Sequence, residues 1–270
     1  MEPVLRAKNL TKRFGGLVAV DDVSMDILPG QVMGLVGDNG AGKSTLIKMI
    51  SGVYQPDAGE IFLENNNVTF SGPRDARDLG IETIYQDLAL AENLDVISNI
   101  FLGREVKKRY LGGLIRTLNW PYMHEESASA LDRLDIHVPS LMQQIRNLSG
   151  GQRQAVAIAR SVYWNAKMMI MDEPTAALAV PEQRKVLSLV HTLREQGVPV
   201  IIISHNLQDV FAVADRITVL RRGRKVAEVD AADTTPDEIV SLMVGAKAVH
   251  EMGVIPQPLE NSGSTEDLDQ

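Results

Sequence analysis

The chain has 270 residues, of which 44% are hydrophobic and 23% are charged, a composition typical of folded globular proteins. Its net charge of −8 argues against nucleic acid as a partner, because nucleic-acid binding needs a basic surface. It contains no cysteine, which rules out disulfides and thiolate metal sites. Apolar runs such as Val200 to Ile203 are far shorter than the about 20 residues that cross a bilayer, so we expect no membrane-spanning helix.

Strand-like and helix-like segments alternate along the chain. Residues 32 to 36 are apolar and precede a glycine-rich loop, after which apolar residues recur at helical spacing. The same order predicts strands at 167–171 and 198–204, followed by helices at 181–196 and 206–213. Alternation of this kind predicts a parallel sheet covered by helices, that is, an α/β fold.

Three boundaries can be placed from local chemistry and composition. Pro181 suits the first turn of the helix at 181–196, and Gly197 suits its end. Helical patterns dominate between about 91 and 163, which predicts a mostly helical subdomain inserted into an α/β core spanning 1–250. Residues 251–270 are acidic and serine-rich, and we expect them to form a disordered tail.

The sequence GDNGAGKST at residues 37–45 matches the phosphate-binding loop pattern Gly-x-x-x-x-Gly-Lys-Ser between a predicted strand and helix. Its glycines let backbone N–H groups face an anion, and the helix start adds further donors. Lys43 would contact the β- and γ-phosphates, and Ser44 would offer its hydroxyl to Mg²⁺. The alternative is a glycine-rich turn with a solvated lysine. The predicted phosphate-contacting residues are Gly37, Asp38, Asn39, Gly40, Ala41, Gly42, Lys43, Ser44 and Thr45.

Two adjacent carboxylates, Asp172 and Glu173, end the apolar run that begins at Met168. In a parallel sheet they would lie beside the phosphate loop. We expect Asp172 to hold the Mg²⁺ shell through water, and Glu173, pointing the other way along the strand, to deprotonate the attacking water. An acidic pair that only caps the next helix is the alternative.

The sequence Leu-Ser-Gly-Gly-Gln at residues 148–152 precedes a strongly periodic apolar helix pattern. Ser149 suits the helix cap, and the exposed helix start suits a phosphate. A capped helix with no ligand is the alternative, and both roles are compatible. The predicted phosphate-contacting residues are Ser149, Gly150, Gly151 and Gln152.

These motifs, in this order, resemble the ATP-binding subunits of ABC transporters, and the resemblance covers about residues 3 to 245. It implies a P-loop NTPase (RecA-like) core with an N-terminal antiparallel β subdomain and an inserted α-helical subdomain. It also implies ATP and Mg²⁺ as cofactors and a head-to-tail dimer. In that dimer the phosphate loop of one copy and the Leu-Ser-Gly-Gly-Gln segment of the other enclose each ATP, so we expect a homodimer.

The resemblance assigns three further residues. Gln86 matches the glutamine that senses metal and nucleotide and lies near the membrane subunit, so it is both a catalytic and a metal-site candidate. His205 matches the histidine that contacts the γ-phosphate, and Phe14 matches the aromatic residue that stacks on adenine. Taken alone, each has a plain structural alternative: a solvated strand-end glutamine, a helix-capping histidine and a core phenylalanine.

One loop departs from the family pattern. The family usually has Ser and then Asp after the Asp-Glu-Pro run, whereas this chain has Ala176 and Ala179. That loop crosses the dimer interface in the family, so the change affects the expected coupling between ATP sites. With Glu173 and His205 present, the sequence still favours hydrolysis.

The stretches 85–88 and 100–105 look most like the ribose, xylose and fructose class of bacterial sugar importers. The resemblance implies permease subunits and, indirectly, an extracytoplasmic sugar-binding protein as partners, and a place on the cytoplasmic face of the membrane. Two alternatives stay open. One is a soluble ABC ATPase outside transport, and the other is a regulatory ATP-binding subunit with little turnover.

Overall fold

The structure is a computed structural model that describes residues 2–85, 88–110, 115–164, 166–176 and 178–245. The strands in chain order are β1 (Leu5–Phe14), β2 (Leu17–Ile27), β3 (Val32–Gly37), β4 (Ala58–Leu63), β5 (Asn66–Val68), β6 (Ile81–Ile84), β7 (Lys107–Tyr110), β8 (Ile115–Leu118), β9 (Met168–Asp172), β10 (Val200–Ile203), β11 (Arg216–Arg221) and β12 (Arg224–Asp230). The helices are α1 (Lys43–Ile50), α2 (Pro73–Asp78), α3 (Val96–Ile100), α4 (Trp120–Asp132), α5 (Gly150–Tyr163), α6 (Val180–Glu195), α7 (Leu207–Val213) and α8 (Pro236–Val244).

The central sheet has six strands in the order β12-β11-β3-β10-β9-β6. Five of them are parallel, as the sequence predicts, and β12 is an antiparallel edge strand paired with β11. The carboxyl ends of β3, β9 and β10 therefore meet at one edge of the sheet. The three segments that contain predicted site residues lie at this edge, at residues 37–45, 172–173 and 205.

Both faces of the central strands are buried, which explains their continuous apolar sequences. In β9, Met168 and Ile170 pack on the side of α1 and the four-stranded antiparallel sheet, which has the order β2-β1-β4-β5. Met169 and Met171 pack on the other side, with α3, α5 and α6. The fold is thus a P-loop NTPase core with an antiparallel β layer on one side and helices on the other, as predicted.

The predicted elements lie within one or two residues of the observed ones. The helix predicted at 181–196 is observed as α6, with Pro181 in its first turn. Gly197 follows the helix with a φ of 79°, a conformation that favours glycine. The strands predicted at 167–171 and 198–204 correspond to β9 and β10.

The segment predicted to be mostly helical contains an element that the sequence reading missed. Strands β7 and β8 form an antiparallel hairpin between α3 and α4. The subdomain bounds of 91–163 stay a prediction, and the tail predicted at 251–270 lies outside the described residues. Among the residues that are described, no helix combines the length and apolar character needed to span a bilayer.

Candidate active site

The glycine-rich loop connects β3 to α1 and is packed closely against neighbouring backbone. Gly37 has a φ of 155°, and a Cβ there would lie 2.3 Å from the carbonyl oxygen of Leu220. Gly42, with a φ of 102°, would place a Cβ 2.5 Å from the carbonyl oxygen of Ala19. No side chain fits at either position, so these two glycines are required by packing as well as by backbone conformation.

Lys43 folds back over this loop. Its Nζ donates hydrogen bonds to the carbonyl oxygens of Gly37 at 2.6 Å and Asp38 at 3.1 Å. Burial lowers the pKa of Lys43, while the nearby charges of Glu173, Asp38 and Asp172 oppose that shift. A partly desolvated ammonium at the start of a helix is a strong attractor for an anion.

The loop forms the floor of a cavity of about 530 Å³. The aromatic ring of Phe14 is 43% exposed and lies edge-on to Tyr54, with ring centroids 5.3 Å apart. The cavity therefore joins an apolar wall to a floor of backbone amides and an ammonium. Its lining residues are Phe14, Leu17, Val18, Ala19, Asn39, Gly40, Ala41, Gly42, Lys43, Ser44, Thr45 and Arg222, a set that omits the predicted Gly37 and Asp38.

The sequence reading missed the lining residues Leu17, Val18, Ala19 and Arg222. Arg222 lies in the tight turn between β11 and β12, and the next residue, Gly223, donates its N–H to the carbonyl oxygen of Ala41 at 3.0 Å. This bond brings the turn to the phosphate loop. The contact is possible because β11 pairs with β3, although these strands lie far apart in the sequence. No local sequence pattern predicts that pairing.

The two predicted carboxylates separate at the end of β9. Asp172 is the last residue of the strand, and burial followed by the charge of Glu173 raises its pKa. Glu173 adopts a φ of 52°, and its N–H donates to the carbonyl oxygen of Ile203 at 2.8 Å. Glu173 is thus the first residue beyond β9, and a left-handed backbone conformation sets the direction of its side chain.

Glu173 and His205 form a close pair. One carboxylate oxygen of Glu173 lies 2.7 Å from His205 Nδ1, and the other accepts the His205 backbone N–H at 3.0 Å. The Glu173 side chain is 19% exposed and that of His205 is 77% exposed. The structure thus joins the two predicted catalytic residues from neighbouring strand ends and leaves the imidazole facing solvent.

A second bond links the segments that carry these two residues. Thr175 Oγ1 donates to Asp209 Oδ2 at 2.6 Å, and both side chains are buried. Thr175 lies two residues after Glu173, and Asp209 is in α7, the helix that follows His205. A buried, charge-assisted hydrogen bond of this kind holds the two segments together.

The loop that contains Ala176 and Ala179, the two departures from the family pattern, follows Thr175 in the chain. Ala176 donates its N–H to the carbonyl oxygen of Glu173 at 3.1 Å. Ala179 is the N-cap residue of α6, and the helix has no side-chain cap there. An Asp at this position would be a favourable cap.

The Leu-Ser-Gly-Gly-Gln segment begins α5 with a capping box. The Ser149 hydroxyl accepts the N–H of Gln152 at 3.3 Å, and the Gln152 side chain accepts the N–H of Ser149 at 3.0 Å. A Cβ on Gly150 would lie 2.7 Å from Leu178 Cδ2, and one on Gly151 would lie 3.0 Å from Glu182 Cβ. The serine and glycines therefore have a structural role, as the sequence reading allowed.

A single chain does not bring this segment to the phosphate loop. Gly150 lines a cavity of about 250 Å³ together with Glu173. Ser149, Gly151 and Gln152 line another, of about 390 Å³, between α5 and α6. Within the described part of the chain, none of the four lines the cavity above Lys43.

Gln86, the remaining predicted site residue, lies outside the described residues. The segment after it is attached to α5. Arg160 donates to the carbonyl oxygens of Leu88 and Ala89, and Arg153 pairs with Glu92 at 3.4 Å. Residues 88–92 are therefore joined to α5 by side-chain contacts from two of its arginines.

Comparison with known proteins places the chain among transporter ATP-binding proteins. The family model described as "ABC transporter" matches residues 20–176. The chain is 51% identical over 243 residues to a xylose/arabinose import ATP-binding protein of Sulfolobus acidocaldarius, covering 90% of this chain and 94% of the relative. It is 45% identical over 248 residues to a fructose import ATP-binding protein of Rhizobium meliloti, covering 91% and 95%.

A ribose import ATP-binding protein of Rubrobacter xylanophilus is 42% identical over 243 residues, covering 90% of this chain and 46% of the relative. The chain thus spans about half the length of that protein. Among solved structures, a nucleotide-free ATP-binding cassette from an ABC transporter superposes with a TM-score of 0.74 at 29% identity, covering 94% of this chain and 100% of that one. The ADP conformation of another such cassette gives a TM-score of 0.74 at 28% identity, with the same coverage.

Proposed function

The chain belongs to the family of ABC transporter ATP-binding proteins, and on that basis we propose that it is the ATP-hydrolysing subunit of a monosaccharide importer. The family members are ATPases, and hydrolysis is the activity of this chain. The observation that carries hydrolysis in the structure is the Glu173–His205 pair, which lies at the same sheet edge as Lys43. The sugar follows from the similarity to xylose/arabinose and fructose import proteins.

In this proposal the cavity of about 530 Å³ holds ATP. Phe14 stacks on the adenine, since its exposed ring forms the apolar wall. Lys43 exchanges its two carbonyl partners for the β- and γ-phosphates, whose negative charge balances the partly buried ammonium. The backbone N–H groups of the loop and of Ser44 and Thr45 bind the remaining phosphate oxygens.

The residues present fit a magnesium ion. Mg²⁺ prefers hard oxygen ligands and in nucleotide sites takes few from the protein, the rest coming from water and phosphate. Ser44 offers a hydroxyl in the cavity, and Asp172 a carboxylate whose raised pKa reflects its burial next to Glu173 and would fall beside a cation. We assign Ser44, Asp172 and Gln86 as the metal-site residues; when bound, Mg²⁺ neutralises charge on the phosphate oxygens.

Glu173 acts as the general base. Its carboxylate accepts the proton of the water that attacks the γ-phosphate, while the bond to the β-phosphate oxygen breaks. The two hydrogen bonds from His205 fix the orientation of this carboxylate. With Nδ1 donating to Glu173, Nε2 is the ring nitrogen left to face the γ-phosphate, and it donates a hydrogen bond there only in the doubly protonated imidazolium form.

Two copies of the chain are needed for a complete site. The residues Ser149 to Gln152 begin α5 at a distance from the cavity of their own chain, so a second copy must supply them to each ATP. We therefore propose a head-to-tail homodimer that closes on ATP. The closed dimer would sit on the cytoplasmic face of the membrane against permease subunits, which receive the sugar from a binding protein.

The segment 88–92 is the proposed contact with the permease, because it follows Gln86 and is attached to α5. We expect substitution of its exposed Glu92 by Arg to lower sugar-stimulated hydrolysis by about fivefold in the reconstituted transporter, a coupling loss of about 1 kcal/mol. Basal hydrolysis by the isolated subunit should be unchanged. Phosphate release, measured with and without permease and sugar-binding protein, separates the two activities.

Glu195→Arg is the matched control, because Glu195 is an exposed glutamate at the end of α6. It should change neither activity. If Glu92→Arg lowers both activities together, the segment serves catalysis or folding; if it lowers neither, the coupling surface is elsewhere.

The alternative of a regulatory subunit that binds ATP with little turnover is disfavoured, because the family members are ATPases and the relatives are import ATP-binding proteins. Ala176 and Ala179, which replace the family's interface side chains and leave α6 without a side-chain cap, bear on the coupling between the two ATP sites. Phosphate release by the purified chain should show multiple turnovers, and ATP binding without release would contradict the transport ATPase.

A further inference from the structure

The hairpin of β7 and β8 has a concentrated positive charge. Lys107, Lys108, Arg109 and Arg116 are all exposed, within a chain whose net charge is −8. Arg109 is paired directly opposite Arg116 in the antiparallel register, and Lys107 projects on the same face as Arg109. We name these four residues the basic hairpin.

Among the described residues, the acid that interacts with the basic hairpin is Glu105, whose pKa is lowered by backbone hydrogen bonds and, to a smaller extent, by the charge of Lys107. Over the residues that the structure describes, none of its four cations forms an ion pair. Like charges directly opposite each other destabilise a strand pair, and a two-stranded hairpin is itself marginal in water. By contrast, Arg104, just before the hairpin, pairs with Asp78 and Glu82 and lies over the ring of Trp164. The basic hairpin therefore presents its charge outward, toward an anionic partner.

Apolar and aromatic side chains are exposed next to these charges. Leu118 ends β8 and is 37% exposed, while Trp120 and Tyr122, in the first turn of α4, are 42% and 41% exposed. Trp and Tyr are enriched where a protein meets the headgroup layer of a membrane, since their rings are apolar and their tips polar. Exposed aromatic rings beside clustered lysine and arginine are typical of a surface that lies on anionic lipid.

We propose that the basic hairpin and Trp120 contact anionic lipid headgroups beside the permease. The inference rests on the proposed function, which places the subunit at the membrane. Along the chain, α3 is the helix that separates the proposed permease contact at 88–92 from the hairpin. The lipid contact would hold the subunit beside the permease and neutralise the opposed arginines.

The proposal is tested by sedimentation of the purified full-length chain with vesicles. One set is pure phosphatidylcholine, and the other contains about 30% phosphatidylglycerol, which supplies the negative surface potential. Wild-type protein should bind the acidic vesicles and not the neutral ones, and high salt should release it. Substituting Lys107, Lys108, Arg109 and Arg116 together by Gln should weaken binding at least about a hundredfold, because each basic residue near such a surface contributes about fivefold.

The matched control variant also loses four positive charges, at positions outside the basic hairpin. Lys8, Arg133, Arg184 and Lys185 are exposed, and no ion pair is found for them within the described ranges. Replacing these four by Gln should leave vesicle binding within about twofold of wild type if local charge, not net charge, decides. Equal loss in the control, or no preference for acidic vesicles in wild type, would overturn the proposal.

Two further readouts keep the outcome interpretable. Trp120→Ser leaves the charge intact and should weaken binding to acidic vesicles severalfold, whereas unchanged binding would remove the aromatic part of the proposal. Thermal unfolding should show that each variant is folded, and ATP hydrolysis should match wild type, since none of these residues lines the ATP cavity. If the hairpin variant loses vesicle binding and retains ATP hydrolysis, the proposal is supported. If the wild-type protein hydrolyses ATP but does not bind acidic vesicles, the lipid proposal is wrong and the proposed function is unaffected. If the hairpin variant instead fails to bind lipid-free permease in detergent, the partner is protein and the lipid proposal is wrong.

Discussion

Replacing Glu173 with Gln is expected to lower ATP turnover by about two to four orders of magnitude, the usual contribution of a general base. Glutamine keeps the shape of the side chain, and its oxygen can still accept the backbone N–H of His205. It cannot take a proton from water, and its amide would face His205 Nδ1, so the imidazole must present an acceptor there. ATP should therefore bind and remain bound.

Two measurements check this result. Single-turnover phosphate release should be slow, and gel filtration should show a dimer in ATP with Mg²⁺ and a monomer without nucleotide. Glu195→Gln, an exposed glutamate at the end of α6, is the control and should hydrolyse ATP normally. Near-normal turnover in Glu173→Gln would show that another group is the base.

Lys43→Ala is expected to lower ATP affinity at least about a hundredfold, since it removes charge-assisted hydrogen bonds worth about 1.5–3 kcal/mol each. The ammonium is already partly desolvated, as the burial-lowered pKa of Lys43 shows, so little further solvation is lost when phosphate replaces its carbonyl partners. Titration with a fluorescent nucleotide measures the effect. Affinity equal to wild type would contradict the assignment of the phosphate loop.

Lys48→Ala is the matched control for this substitution. Lys48 lies in the last turn of the same helix, with its Nζ over the ring of Tyr54 at 5.5 Å from the centroid. It does not line the cavity. Like Lys43→Ala, Lys48→Ala replaces a lysine of α1 with alanine and removes one positive charge. ATP affinity should fall by less than about fivefold.

The parallel sheet and its covering helices follow from sequence because local chemistry specifies them. Buried strands such as β9 and β10 are short continuous apolar runs, since helices or strands cover both faces of the sheet. The ends of α6 are marked by Pro181 and Gly197, and the observed bounds differ by a single residue from those predicted. The phosphate loop is equally local, being a continuous segment between one strand and one helix.

The features that sequence did not predict depend on contacts between distant segments. The bond from Thr175 to Asp209 joins residues 34 positions apart, and Arg222 reaches the cavity through the pairing of β11 with β3. The β7–β8 hairpin was missed because its strands are basic and lack the apolar alternation that marks a half-buried strand. The direction of Glu173 also required the structure, because its carboxylate is set by a left-handed turn after the strand.

The central claim is that two chains build each ATP site, and mixing two inactive variants tests it most directly. Lys43→Ala removes the phosphate loop's charge, and Ser149→Asp places a negative charge where the second copy meets the γ-phosphate while keeping a good helix cap. Ser149→Asn, a cap without charge, is the control for the second variant and should fold as stably. Each inactive variant alone contains no intact site.

In a mixed dimer, the phosphate loop of the Ser149→Asp chain meets the intact Ser149 of the Lys43→Ala chain, so one complete site is restored. Half of the dimers in an equal mixture are mixed and each has one site, which predicts hydrolysis at about a quarter of the wild-type rate for independent sites. Phosphate release from the mixture should therefore far exceed that of either variant alone. A mixture no more active than its components would show that the two segments do not meet across a dimer, and the account of the site would be wrong.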